Sequence, residues 1–249
     1  MKKSVHLLLS LFLSWVILFI LAKLCFMLCY RPMYAGIGFT DILLVIWHGL
    51  KMDLATAGYL SAIPGLMLVA GPWFRSPRPV IISIKIYLAI ISLLVLTIIG
   101  VDTALYGYWD FKLDITPLFY IMTDPVAAVA SAPLWMVISG IILLALLATT
   151  LYMLLVRVTG LKKYDVDSNL RLKVSGTMLL LTALLFIPIR GGFGVATVNM
   201  STAFYSNNMR LNHAAVNPAF SLFYSAMHQQ AFNKMFRLIE PDQATKLLD

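Results

Sequence analysis

The sequence predicts an all-α integral membrane protein, in which five transmembrane helices are followed by amphipathic helices that lie outside the membrane or at its surface. Two observations carry this prediction. Hydrophobic residues make up 61% of the 249 residues and charged residues only 12%, about half of the roughly 25% that is usual in soluble domains. The apolar residues also gather in long runs bounded by charges, which is the pattern of membrane-spanning helices.

The net charge of +8 does not indicate a nucleic-acid partner. The basic residues flank the apolar runs and do not form a stripe interleaved with aromatic side chains. Cys25 and Cys29 lie four residues apart in the first apolar run, so we expect them to fill space on one helix face. Two cysteines provide neither a disulfide framework nor a zinc site, and no metal site is expected in this chain.

The apolar runs define a five-span membrane domain over residues 1–190. The predicted spans cover residues 5–29, 54–74, 86–105, 134–156 and 172–189. The first run is too long for the apolar part of a signal peptide, and no small-residue cleavage site follows it, so it is predicted to remain as a span. Thr40-Asp41 resembles the N-cap of a short separate helix that ends at Leu50, before the second span.

Charges and prolines mark the ends of the later spans. Asp102 lies near the end of the third span, where a charge costs less than the roughly 2.5–3.5 kcal/mol expected at the bilayer centre. Pro133 precedes the fourth span, at a position where its missing N–H costs little. Arg190 closes the fifth span and is followed by Gly191-Gly192, a combination typical of a helix exit whose backbone can approach a ligand.

The distribution of Lys and Arg predicts the orientation. With the N-terminus in the cytoplasm, the inside segments hold ten basic residues: Lys2, Lys3, Arg75, Arg78, Lys85, Arg157, Lys162, Lys163, Arg171 and Lys173. The outside loops between spans hold three: Arg31, Lys51 and Lys112. Because short cytoplasmic loops carry the excess of positive charge, everything after Arg190 is predicted to lie outside the cytoplasm.

Residues 191–249 are predicted to form an extracytoplasmic linker with an amphipathic helix. Asn217-Pro218 is a credible pair of N-cap and first helical residue. Apolar residues then recur every three to four positions at Phe220, Phe223, Met227 and Ala231. This helix either lies on the membrane surface or docks on the spans, and Glu240-Pro241-Asp242 is predicted to end it.

No catalytic motif is recognisable in the sequence: it has no Walker loop, no HExxH, no GxSxG and no cluster of metal ligands. Arg190 is the candidate for binding a lipid phosphate, because a guanidinium binds phosphate bidentately. The other candidates for head-group binding are the charges and amides near the predicted outer loops, namely Lys51, Asp53, Asp102, Asn208, Asn212 and Asn217. The two competing interpretations are boundary charges for the ionisable residues, and turns or helix caps for the asparagines.

The order of several short segments along the chain bears on its family. They are Gly49-Leu50-Lys51-Met52-Asp53-Leu54, Asp102 with Tyr106-Gly107-Tyr108-Trp109, Arg190-Gly191-Gly192, and Asn217-Pro218-Ala219-Phe220-Ser221-Leu222. Together with five spans, this order resembles the membrane region of the lipoteichoic acid synthase family, which are sulfatase-like phosphoglycerol transferases of the bacterial envelope.

The resemblance implies a membrane domain in the bacterial cytoplasmic (inner) membrane that anchors an extracytoplasmic catalytic domain and helps to present a lipid-linked substrate. In that family the catalytic domain belongs to the alkaline phosphatase superfamily and uses a Thr or Ser nucleophile and a divalent metal (manganese, magnesium or zinc). This chain is expected to end before such a domain begins, so none of those residues is carried over. The implied partners are membrane lipids, the lipid-linked substrate and the missing catalytic domain.

The alternatives belong to three classes. Phosphoethanolamine transferases combine five spans with a phosphatase-like domain and are the nearest enzymatic alternative. A non-enzymatic assembly subunit would need no head-group site. A small transporter would bury charges in the middle of its spans, whereas Lys23 and Asp102 are predicted near span ends. The sequence leaves open the lipid, the transferred group and the oligomeric state.

Overall fold

The computed structural model describes residues 1–123, 133–164 and 170–235, with the side chains of residues 120, 163 and 229–235 excepted. The helices in these ranges are α1 (Lys2–Cys29), α2 (Phe39–Ala70), α3 (Arg78–Trp109), α4 (Thr116–Thr123), α5 (Leu134–Val158), α6 (Arg171–Leu184), α7 (Phe186–Arg190), α8 (Met209–Ala215) and α9 (Pro218–Met235). Short 3₁₀ turns cover Arg31–Tyr34, Gly71–Trp73, Leu161–Lys163 and Met200–Ala203. The predicted helix end at Glu240-Pro241-Asp242 lies outside the described residues.

The predicted fold class is confirmed. Over the described ranges the ordered backbone is helical and contains no strand. Five segments there are long and apolar enough to cross a membrane: α1, α2, α3, α5, and α6 together with α7. The chain is therefore an all-α, multi-pass membrane protein, because helices satisfy their own backbone hydrogen bonds in hydrocarbon.

The predicted division between a short helix ending at Leu50 and a second span starting at Leu54 is wrong. α2 runs without a break from Phe39 to Ala70. The Gly38 N–H donates to Asp41 Oδ2 at 3.0 Å, so Asp41 caps this longer helix and does not begin a separate one. The charge on Asp53 does not interrupt the helix because it has a buried partner on α1, described below.

Two other spans also differ from their predicted bounds. α3 begins at Arg78 and ends at Trp109, where residues 86–105 were predicted. The fifth span is divided at Leu185 into α6 and α7. Pro188 accounts for this division, because its ring removes the N–H that would bond the carbonyl four residues earlier.

The glycines after Arg190 end α7 as the sequence predicted. Gly191 and Gly192 have φ angles of 97° and 107°, in the left-handed region that favours glycine. The Gly191 N–H donates to the carbonyl of Ile187 at 3.1 Å, and the Gly192 N–H donates to the same carbonyl at 2.9 Å. A Cβ on Gly191 would also lie 2.5 Å from Val198 Cγ2, so a larger residue would not fit here.

Two apolar clusters hold the helices together. The larger cluster includes Trp15 of α1, Leu88 of α3 and Leu155 of α5, and each of these side chains is buried. The smaller cluster includes Phe26 of α1 and Tyr106 of α3 and lies at the end of the bundle where those helices end. We call residues 191–235 the tail; the tail contributes α8 to the smaller cluster and the first turns of α9 to the larger one. The first turns of α9 dock on the spans through Ala219 and Leu222, whereas Phe223 and Met227 of the predicted apolar face are 55% and 81% exposed.

Candidate functional site

A buried ion pair joins α1 to α2 and is bound by a third residue from the tail. Lys23 Nζ donates to both carboxylate oxygens of Asp53, and Asn217 Nδ2 donates to Asp53 Oδ1 at 2.9 Å. Only 4% of Lys23 and none of Asp53 or Asn217 is exposed. The opposite atom of the same amide, Asn217 Oδ1, accepts the Phe220 N–H at 3.1 Å and caps α9. One side chain therefore both starts α9 and ties it to α2.

Gly49 allows the tail to approach this ion pair. A Cβ on Gly49 would collide with the carbonyl oxygen of Ala215 at the end of α8 and with the side chain of Lys23. The absence of a side chain at position 49 is thus required for the observed contact between α2 and the tail.

A second buried ion pair lies just beyond α3. Lys112 Nζ donates to Asp102 Oδ2, and the Leu113 N–H donates to Asp102 Oδ1 at 2.8 Å. The chain returns over Asp102 because Asp110 ends α3 in the left-handed conformation, with φ 54°. The Lys112 ammonium lies 4.0 Å from the centroid of the Phe26 ring, within range of a cation–π interaction. Burial lowers the pKa of Lys112, and the neighbouring Asp102 carboxylate opposes this shift.

A third polar contact joins α3 to α8. Tyr106 Oη lies 3.0 Å from His213 Nδ1, and the Tyr106 ring is fully buried. Burial, followed by the nearby charge of Lys112, lowers the pKa of His213 below its usual value. His213 is therefore neutral near pH 7. Lys112 and His213 had no particular signal in the sequence, where Lys112 is one of several loop charges and His213 one of four scattered histidines.

A cavity of about 230 Å³ lies between the segment that follows α3 and the tail. Its apolar lining residues are Phe111, Met200, Phe204 and Val216, and its polar lining residues are Lys112, Asp114, His213, Ser221, Tyr224 and Ser225. Phe111 and Phe204 are 41% and 46% exposed, so the lining reaches the protein surface. The volume is below the roughly 300–1,000 Å³ of pockets for drug-sized molecules, and it suits a small polar group.

The predicted site asparagines all make hydrogen bonds inside the protein. Asn208 Oδ1 accepts the Arg210 N–H at 3.1 Å and caps α8. Asn212 Oδ1 accepts the N–H groups of Tyr205 and Ser206 at 3.0 and 2.9 Å, and its Nδ2 donates to the Ser206 carbonyl at 2.8 Å. The contacts of Asn208 and Asn212 match the cap-and-turn interpretation, whereas Asn217 both caps α9 and contacts Asp53. Head-group binding by these amides stays a prediction.

The charged members of the predicted site are not brought together. Asp53 and Asp102 belong to the two separate buried ion pairs. Lys51 is exposed on α2, and Arg190 is partly buried at the end of α7. Within the described ranges neither the Lys51 nor the Arg190 side chain has a hydrogen-bond or ion-pair partner, so both remain free to bind an anion.

The described residues contain no group of three or more His, Cys, Asp or Glu side chains that could hold a metal ion. No family model, curated protein or solved structure matches this chain. The resemblance to the lipoteichoic acid synthase family therefore stays a prediction.

Proposed function

We propose that this chain is the N-terminal membrane domain of a sulfatase-like envelope transferase in the bacterial inner membrane. It anchors an extracytoplasmic catalytic domain and helps to present a lipid-linked substrate for a phosphoglycerol-type transfer. The observation that carries this proposal is the contact of Asn217 with Asp53 at the first turn of α9. A flexible tether would need no such buried contact, whereas a linker that positions a second domain benefits from one.

The placement of the loops supports the proposed orientation. The Tyr34 hydroxyl, between α1 and α2, donates to the Arg210 carbonyl of the tail at 3.1 Å. Lys112, just after α3, lines the same cavity as His213 of the tail. These three segments therefore share one end of the bundle, as an odd number of spans requires. We assign this end to the extracytoplasmic side, because the ten basic residues counted above belong to the other set of loops.

The catalytic residues and the divalent metal of such an enzyme are assigned to the domain that follows. The membrane domain of a phosphoethanolamine transferase is the second candidate, since its general plan is the same.

Asn217→Ala, made in the full-length protein, tests whether the tail positions the proposed catalytic domain. We expect turnover of a lipid substrate to fall about 10- to 100-fold, because a small misplacement of the catalytic domain is costly. Hydrolysis of a soluble chromogenic phosphodiester, which needs no membrane positioning, should be unchanged. Asn207→Ala is the matched control, because it removes the same atoms from an exposed residue of the tail that is not a head-group candidate. Equal lipid turnover in the two variants would contradict the proposal.

Arg190→Ala separates a transferase domain from an assembly subunit. We expect normal membrane expression and a loss of lipid-substrate turnover of about tenfold or more, since a guanidinium pairs bidentately with phosphate. Arg190→Lys should recover only part of this turnover. Arg31→Ala, at an exposed arginine on the same end of the bundle, serves as the control. Unchanged turnover in Arg190→Ala would favour the assembly subunit.

A further inference from the structure

The cavity beside the tail has an unbalanced charge. Lys112 and Asp102 are neutral as a pair, whichever of the two holds the shared proton. His213 adds no charge near pH 7, as described above. Asp114 is then the unmatched charge of the lining. Its Oδ1 accepts the Thr116 N–H at 2.9 Å, and no described residue hydrogen-bonds its Oδ2.

The same lining offers several hydrogen-bond donors. Lys112 has three N–H groups, of which Asp102 accepts one. If the Tyr106 hydroxyl donates to His213 Nδ1, the proton of the neutral imidazole is on Nε2, which is then a donor. The hydroxyls of Ser221 and Tyr224 make no hydrogen bond to any described residue. These groups form a neutral set of donors suited to a phosphate oxygen.

The rest of the lining is aromatic and apolar. The rings of Phe111, Phe204 and Tyr224 line the cavity. Aromatic faces attract an ammonium group, and a carboxylate nearby strengthens that preference. An anionic head group would instead bring a second negative charge close to Asp114, which is unfavourable.

We propose that this cavity binds the phosphoethanolamine head group of a membrane phospholipid, with its phosphate at Lys112 and His213 and its ammonium at Asp114. The cavity of about 230 Å³ admits the head group, and the acyl chains remain outside it. The inference rests on the proposed function in its second form, the membrane domain of a phosphoethanolamine transferase, because it names a phosphoethanolamine lipid as the one that this domain presents. It favours phosphoethanolamine lipids over phosphoglycerol lipids at this cavity.

Lipid binding to the purified full chain tests this assignment. The chain is placed in phosphatidylcholine nanodiscs and titrated with phosphatidylethanolamine or phosphatidylglycerol, and bound lipid is counted by native mass spectrometry. We expect phosphatidylethanolamine to bind about tenfold more tightly than either other lipid, as one charged hydrogen bond allows. Asp114→Asn should remove this preference. Phe204→Leu, which keeps the charges but removes an aromatic ring, should weaken phosphatidylethanolamine binding.

Asp41→Asn is the matched control. It makes the same charge change at a residue that does not line the cavity, and the Asn side-chain oxygen can still accept the Gly38 N–H at the start of α2. This variant should keep the lipid preference. Equal binding of the three lipids, or a preference that survives Asp114→Asn, would overturn the assignment. Displacement of the lipid by an equal concentration of soluble O-phosphoethanolamine would overturn the assignment to a membrane lipid.

The lipid-binding experiment and the turnover tests of the proposed function have independent outcomes. Lipid binding is measured without turnover, so a failure here leaves the positioning role of Asn217 intact. Conversely, unchanged turnover in Asn217→Ala and Arg190→Ala would remove the proposed transferase role without affecting a measured preference for phosphatidylethanolamine.

Discussion

Asp53→Ala is expected to lower the free energy of unfolding by about 3–5 kcal/mol, the cost of removing one partner from a buried ion pair. The substitution leaves the Lys23 ammonium buried without its counter-charge and removes the acceptor of Asn217. Reversible unfolding of the purified protein in mixed micelles measures the change. Because α1, α2 and α9 all meet at Asp53, we also expect the tail to become more accessible to protease before the spans unfold.

Two further variants make this result specific. Lys51→Ala removes an exposed charge two residues earlier on α2 and should change the free energy of unfolding by no more than about 0.5 kcal/mol. The double variant Lys23→Met with Asp53→Leu removes both charges and should recover part of the stability, because no charge is then left unpaired and only the Asn217 amide still lacks its acceptor. Wild-type stability in Asp53→Ala would show that the ion pair has no structural role.

The number of spans could be predicted from the sequence because hydrocarbon imposes a strong and local rule. Each span must be a long apolar helix, and the composition of any twenty residues shows whether it can be one. The bounds of α2 could not be predicted in the same way. In the sequence alone, Lys51 and Asp53 look like the charged end of a span. Asp53 can be buried within α2 because it pairs with Lys23, which lies thirty residues earlier on α1.

The candidate site was only partly predictable for the same reason. Asn217-Pro218 was recognisable as a helix start, because a cap is a local hydrogen bond. The contact of the same side chain with Asp53 spans 164 residues and leaves no local trace. Lys112 lies only ten residues from Asp102, but their pairing depends on the left-handed conformation of Asp110. That conformation is uncommon for any residue other than glycine, so it was not expected.

Gly49→Ala is expected to separate the tail from the spans. The added Cβ would collide with the Ala215 carbonyl, and a backbone atom can move aside only if α8 moves with it. We expect a cost of about 1–3 kcal/mol, typical of overpacking, together with faster hydrogen exchange in α8. Under the proposed function, lipid turnover should fall as it does in Asn217→Ala, since both changes release the same contact between α2 and the tail.

Gly100→Ala is the control for this substitution. Gly100 lies on an exposed face of α3, where a Cβ would have no heavy atom within 4 Å. Alanine should stabilise that helix by up to about 1 kcal/mol, because glycine is the poorer helix former. A loss of stability in Gly49→Ala together with a gain in Gly100→Ala would show that contact with the tail requires glycine at position 49. A stabilising effect at both positions would mean that the tail does not pack against α2 as described, and the proposed positioning role of the tail would then lose its structural basis.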